Sequence, residues 1–158
     1  MKKTFYSIIF ILLVFTRAEA IDITTTGSWS RTIDTSDLAS GAGSDLAGSY
    51  ESAVNATVLT ILNTTGNTDN WRADVRRSDS TWHGNFILYI QRTSDGTGGG
   101  SISGGLSYTV IGTTDSQFFS GAGDRSSVNL QYKLTGMSVS IPPNAYSTTV
   151  VFTVVDVI

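Results

Sequence analysis

The sequence predicts an all-β protein, and three observations lead to this fold class. Strand and turn formers such as Thr, Ser, Gly, Val and Ile are abundant, whereas Lys133 and Glu51 are the only lysine and glutamate after residue 20, so strong helix formers are scarce. Apolar residues alternate in short segments that recur roughly every ten residues between clusters of turn residues. No helical segments alternate with them, which disfavours a parallel α/β fold. We therefore predict an immunoglobulin-like β-sandwich of about seven to nine antiparallel strands.

In the first half of the chain, strands are predicted wherever apolar residues alternate with polar ones. They fall at 21–23 and 29–33 (one or two strands), at 53–62, at 71–76 and at 82–91, where His83 lies within the strand. Glycine and serine make 34–52 a long loop with room for one short helical turn, and Asn, Thr and Gly make 63–70 a turn.

In the second half, two glycine-rich loops separate the predicted strands. The loops cover 94–100 and 121–123, and the strands cover 106–110, 128–134, 137–141 and 146–158. Pro142 and Pro143 end the strand at 137–141, because proline donates no ladder hydrogen bond. The last strand is apolar on both faces, which is typical of a strand that is covered on each side.

The first twenty residues have the pattern of a secretory signal peptide. Lys2 and Lys3 precede an unbroken apolar run at 8–15, and Ala18 and Ala20 flank Glu19 as a small-x-small cleavage site. The apolar run is much shorter than the ~20 residues that cross a bilayer, so we expect no permanent membrane anchor. The sequence predicts a signal peptide at 1–20, one domain at 21–158, and export to the periplasm, cell surface or medium.

Composition excludes several classes of function. The chain has no cysteine and a formal net charge of -3, so disulfides, thiolate zinc sites and cysteine catalysis are excluded, and nucleic acid is not an expected partner. His83 is the only histidine, and no Gly-x-Ser-x-Gly motif accompanies it. The loop at 95–100 lacks the lysine of a phosphate-binding loop. We expect no catalytic residues, no cofactor and no metal site.

The C-terminal segment carries the one family resemblance. Residues 141–154 place a proline-containing turn and a small residue before Tyr146, and an alternating Thr/Val strand follows. This segment, the signal peptide and the all-β layout resemble secreted fimbrial subunits of the spore coat protein U and alternate chaperone-usher pilin group. The resemblance implies a structural subunit of a surface fibre, pilus or coat, with self-association and, as further partners, a periplasmic chaperone and an outer-membrane usher.

The resemblance also implies assembly by donor-strand complementation, in which a subunit accepts an extended segment of its neighbour. The candidate donor is 21–26, with Ile21, Ile23 and Thr25 on one face. The candidate acceptor edge is the last strand, at Tyr146, Val150, Phe152 and Val154. A self-complete sandwich, in which both segments pair within their own chain, explains the same residues and stays open.

A secreted carbohydrate-binding module is the alternative from another class of function. Trp29, Tyr50 and Tyr89 are the aromatic residues that we expect to be open enough to stack on a sugar ring. Trp71 and Trp82 alternate in phase with aliphatic residues, so we expect them to pack in the core.

Overall fold

The structure, a computed structural model, describes residues 20–157. The predicted signal peptide lies outside the described residues, apart from Ala20. In the described part of the chain, ten strands form two antiparallel sheets. These sheets confirm the predicted all-β class and the sandwich architecture.

The larger sheet contains six strands. Their order is β1 (Asp22–Gly27), β3 (Thr57–Leu62), β9 (Arg125–Thr135), β5 (Ile87–Arg92) and β7 (Thr109–Val110), and β2 (Ser49–Glu51) pairs with the end of β9. The smaller sheet contains four strands in the order β10 (Ser147–Asp156), β4 (Asn70–Thr81), β8 (Ser116–Ala122) and β6 (Ser101–Gly104). We call them the β1 sheet and the β10 sheet, after the edge strands that begin these orders.

The core lies between the sheets, because alternate residues of each strand point to the same side. Trp71 lies at the centre of this core and is 1% exposed, and its indole Nε1 donates to the Gly123 carbonyl over 2.9 Å. Its ring meets Phe119 edge-on, with centroids 5.8 Å apart. The other side chains of this buried cluster are Leu59, Ile61, Ala73, Val75, Leu88, Ile90, Ile111, Phe118, Val128, Leu130 and Tyr132.

His83 lies in the turn between β4 and β5, which corrects the predicted strand at 82–91. The chain reverses at Gly84 and Asn85, and the Phe86 N–H donates to the His83 carbonyl over 3.0 Å. Trp82 and Phe86 pack edge-to-face across this turn, with centroids 5.5 Å apart. The alternation in the sequence therefore reflects packing within a turn.

The predicted strand at 137–141 is also wrong, because this segment is part of the loop that crosses from β9 to β10. The Val139 N–H donates to the Asp45 carboxylate over 2.8 Å, which lowers the pKa of that carboxyl. The Ile141 N–H donates to the Ser138 carbonyl over 3.0 Å in a turn. These backbone groups thus find partners outside a sheet.

Near the N-terminus, residues 29–33 form no strand. β1 ends at Gly27, whose φ of 95° and close approach to the Ala56 carbonyl leave no room for a side chain. Trp29 and Ile33 lie in the loop that follows β1, and both are half-buried. The expected helical turn is present in this loop as a 3-10 turn at Thr35–Asp37.

The remaining strand boundaries differ by a few residues. β3 begins at Thr57, because Ala53 and Ala56 close a turn through a backbone hydrogen bond of 3.1 Å. The short strands β2 and β6 were not predicted, since each is at most four residues long. β8, at Ser116–Ala122, was not predicted either, and it takes up the start of the predicted glycine loop at 121–123.

Candidate functional site

The most distinctive surface of the described chain is the free edge of β10. Four strands lie at the ends of the two sheet orders: β1, β7, β6 and β10. β6 and β7 have four and two residues, and short edges offer little to an incoming strand. β10 has ten residues and its one neighbour in the sheet is β4.

The hydrogen-bond phase of β10 follows from its last contact with β4. The Val157 N–H donates to the Asn70 carbonyl over 3.0 Å. Antiparallel strands alternate between residues that bond to the neighbour and residues that bond outward. In the β4 register, the backbone N–H and C=O groups of Val150, Phe152 and Val154 therefore point to the free edge.

The inner face of β10 is apolar, and valines alternate with exposed threonines on its outer face. Val150, Phe152 and Val154 are half-buried and pack against the core. On the opposite face Val151 and Val155 are half-buried as well. Their cross-strand partners are Arg76 and Arg72, and the aliphatic stems of such arginines cover apolar neighbours on the same face. The expectation of a strand covered on each side is therefore wrong: β10 has a free edge, and Thr149 and Thr153 on its outer face are exposed.

β10 also lacks the devices that usually protect a sheet edge. Asp156 is the one charged residue in the strand, which contains no proline. A register shift occurs only at its start, between Ser147 and Thr148. Edge strands of soluble proteins commonly carry lysines, prolines or central bulges that prevent pairing with another chain. The β10 edge is open to such pairing.

Tyr146, the first residue of the predicted acceptor edge, precedes the strand and fixes its start. Its hydroxyl donates to the Pro142 carbonyl over 2.7 Å. Its ring packs on Phe86 and His83, with centroid distances of 5.0 Å and 6.0 Å. Tyr146 therefore positions β10 and is not itself part of the free edge.

The candidate donor forms β1 in its own sheet. Ile23 lies opposite Ile61 and Thr25 lies opposite Leu59 in the register with β3. Ile21 and Ile23 are half-buried against the core, whereas Thr25 is exposed. β1 also lies beside β10, since the two strands are neighbouring edges of the facing sheets. The structure thus brings the predicted donor and acceptor segments to the same side of the sandwich.

The three aromatic residues predicted to be open do not form one platform. Tyr50 is 7% exposed, which corrects the prediction, and the Arg31 guanidinium covers its ring at 5.5 Å. Trp29 packs against the core. Tyr89 lies on the outer face of the β1 sheet, where the Lys133 ammonium is 4.8 Å from its ring centroid.

Tyr108 shares this surface with Tyr89, although the sequence did not single it out as open. The two rings are nearly perpendicular, with centroids 6.5 Å apart, and Lys133 lies 4.1 Å from the centroid of Tyr108. Burial, and then the charge of Glu51, raises the pKa of Tyr108 to about 12. Stacking on a sugar favours open parallel faces, which this pair does not offer.

A shallow, open hollow of about 380 Å³ lies on the outer face of the β10 sheet. Arg72 borders it and is held by Asp74, with 3.0 Å between Nε and Oδ1. The other polar side chains around the hollow are Asn70, Ser101, Ser103, Gln117 and Ser120. Sequence reasoning missed this hollow, because its small polar residues belong to β6 and β8 and carry no motif.

Within residues 20–157, no cluster of His, Asp and Glu has the grouping needed to hold a metal ion. In the same residues no helix has the length and apolarity to cross a membrane. His83 is half-buried in its turn, and its ring contacts the aromatic rings of Phe86 and Tyr146.

Comparison of the chain with protein-family models, with curated proteins and with solved structures gives no match.

Proposed function

We propose that this protein is an exported, non-catalytic structural subunit of a surface fibre, pilus or coat. Its copies associate by β-strand addition at the free edge of β10. One observation carries the proposal: a ten-residue edge strand with an apolar inner face presents unpaired backbone groups at Val150, Phe152 and Val154. Such an edge gives affinity through backbone hydrogen bonds and register through alternate side chains.

The N-terminal strand remains the proposed donor of the fibre contact. β1 pairs with β3 along its six residues, but its side chains bury little apolar surface, because Ile23 is half-buried and the other β1 residues are exposed. Residues 28–48, which follow it, contain no strand and one 3-10 turn, so they can act as the hinge of an exchange. In this mechanism β1 leaves β3 of its own subunit and pairs with β3 of the neighbour, as in domain swapping, so it forms a contact separate from the β10 edge.

The proposal is tested by removing a single backbone hydrogen-bond donor from the free edge. Val150→Pro removes one N–H from the free edge and leaves the ladder with β4 intact, whereas Val150→Ala shortens the side chain and keeps the N–H. We expect the proline variant to lose assembly and the alanine variant to keep it. Negative-stain electron microscopy and light scattering of the purified protein report the polymers.

Two results would contradict this proposal. If Val150→Pro assembles as the unmodified protein does, the β10 edge is not the contact. If deletion of residues 21–26 leaves polymers unchanged, the edge can still be in use, but β1 is not the donor. Circular dichroism of each variant establishes that the domain is folded.

Binding of a carbohydrate is the second candidate function, and the open hollow on the outer face of the β10 sheet is the observation that favours it. Its volume of about 380 Å³ falls in the range of roughly 300–1,000 Å³ found for ligand sites. Serine hydroxyls, the Gln117 amide and the Arg72 guanidinium suit sugar hydroxyl groups. The test is binding of the purified protein to a glycan array. Binding that is lost in the Gln117→Ala variant would support this function, and no binding to any glycan would contradict it.

A further inference from the structure

We infer that the β10 edge pairs with β10 of a second copy, antiparallel and about a two-fold axis at Phe152. This inference rests on the proposed use of the β10 edge and names the strand that occupies it. The pairing joins two β10 sheets into one continuous sheet across two subunits. Three features of β10 favour this occupant.

The first feature is the near-symmetry of the strand about Phe152. On the inward face Val150 and Val154 flank Phe152 at equal distances, so an antiparallel copy places Val150 opposite Val154 and Phe152 opposite itself. The outward-pointing backbone groups belong to these same residues, so each pair can exchange two hydrogen bonds. The symmetry of the inward side chains thus favours this register, and the hydrogen-bond phase is compatible with it.

The second feature is the composition of the outward face. In this register Val151 lies opposite Thr153, and Val155 lies opposite Thr149. Both of these outward pairs thus consist of two β-branched residues, which suit cross-strand contacts in sheets. The half-buried Val151 and Val155 gain a neighbour on the side that β4 does not cover.

The third feature is charge. Asp156 is the one charged residue of β10, and in this register it lies opposite Thr148. A register shifted toward the C-terminus brings Asp156 closer to its own symmetry mate, which like-charge repulsion disfavours.

Single cysteine variants test the register, since the natural chain contains no cysteine. Val151→Cys and Thr153→Cys face outward, away from the core. In the inferred pair they lie opposite each other without hydrogen bonds between them, at a Cα separation of about 4.5 Å, which a disulfide can span. Residue 151 lies about 7–8 Å from its own symmetry mate, which is too far for a disulfide.

The experiment mixes the two purified variants, one with a size tag, under mild oxidation. We expect disulfide-linked heterodimers in the mixture and no covalent dimer from either variant alone. Equal crosslinking in all three samples would overturn the inference, because it would indicate random collision or another register. A mixture without crosslinks would overturn it as well.

The Val150→Pro variant separates this inference from the proposed function. If the mixture gives no crosslink but Val150→Pro abolishes association, another strand occupies the edge and the proposed function stands. If Val150→Pro leaves association unchanged, both ideas fail. A two-fold contact closes on itself, so growth of a fibre requires a second contact, which exchange of β1 would supply.

Discussion

A proline scan of β10 examines the hydrogen-bond phase on which the edge model depends. Val150, Val151, Val154 and Val155 are identical residues and are all half-buried. The N–H groups of Val150 and Val154 point to the free edge, whereas those of Val151 and Val155 bond to β4. Each valine is replaced by proline and, as its reference, by alanine.

The alanine variants should each cost about 1 kcal/mol, because roughly half the area of two methyl groups is lost from a half-buried site. At Val151 and Val155, proline also removes a ladder bond and leaves a β4 carbonyl without its partner, which costs a further ~2 kcal/mol. For a domain of this size, that difference corresponds to about 4–8 °C in Tm. At Val150 and Val154 we expect no such additional loss.

The measurement is thermal and urea unfolding at low protein concentration, so that association does not contribute to stability. The informative quantity is the difference between the proline and alanine variants at each position. An equal difference at all four positions would refute the assigned phase. It would mean that the outward N–H groups have partners within the chain.

Two further predictions concern the loops. Stability should fall as the pH drops below about 4. Hydrogen bonds hold the pKa values of four carboxyls below their ordinary value in the folded protein, so the unfolded chain takes up protons at a higher pH than the folded one. These carboxyls belong to Asp34, Asp37, Asp45 and Asp124. The stability of Asp124→Asn, measured by unfolding at a series of pH values, should fall less steeply with acid. If the variant loses as much stability as the natural protein does, Asp124 does not contribute to the acid sensitivity. Gly136→Ala should cost about 3 kcal/mol or more, because its Cβ would lie 1.8 Å from the Asn85 carbonyl oxygen at a φ of +84°. Gly66→Ala, at a φ of +88° in open space, should cost about 1 kcal/mol, and equal costs would contradict the clash.

Sequence reasoning was most successful where one face of a strand is buried. In β9, Val128, Leu130 and Tyr132 alternate in the sequence and are all buried. β4 behaves similarly at Trp71, where alternation reports the side that faces the core. A period of two carries this information directly, so the fold class and the central strands were predictable.

The same pattern failed where apolar residues pack outside a sheet. Trp82 and Phe86 alternate in a turn because they pack on each other, and Val139 lies in a loop whose backbone bonds to Asp45. Tyr50 is buried, and the Arg31 guanidinium from the preceding loop lies over its ring. These contacts depend on tertiary neighbours, which local patterning does not encode.

The candidate site was predictable in part. The apolar residues of the last strand were evident in the sequence, but their place at an edge depends on the pairing of β10 with β4 alone. The hollow near Gln117 arises where three strands come together. Neither feature has a local signal, because each is a property of strand order.

The partnership of β10 and β4 also bears on how the chain reaches its native state. About two-fifths of the sequence lies between the end of β4 at Thr81 and the start of β10 at Ser147, and contacts between such distant segments form slowly because a long loop must close first. Until β10 docks, β4 is itself an exposed edge strand, and it carries the apolar side chains of Trp71 and Val75. The slow docking of one strand thus governs how long the nascent sandwich remains vulnerable to aggregation.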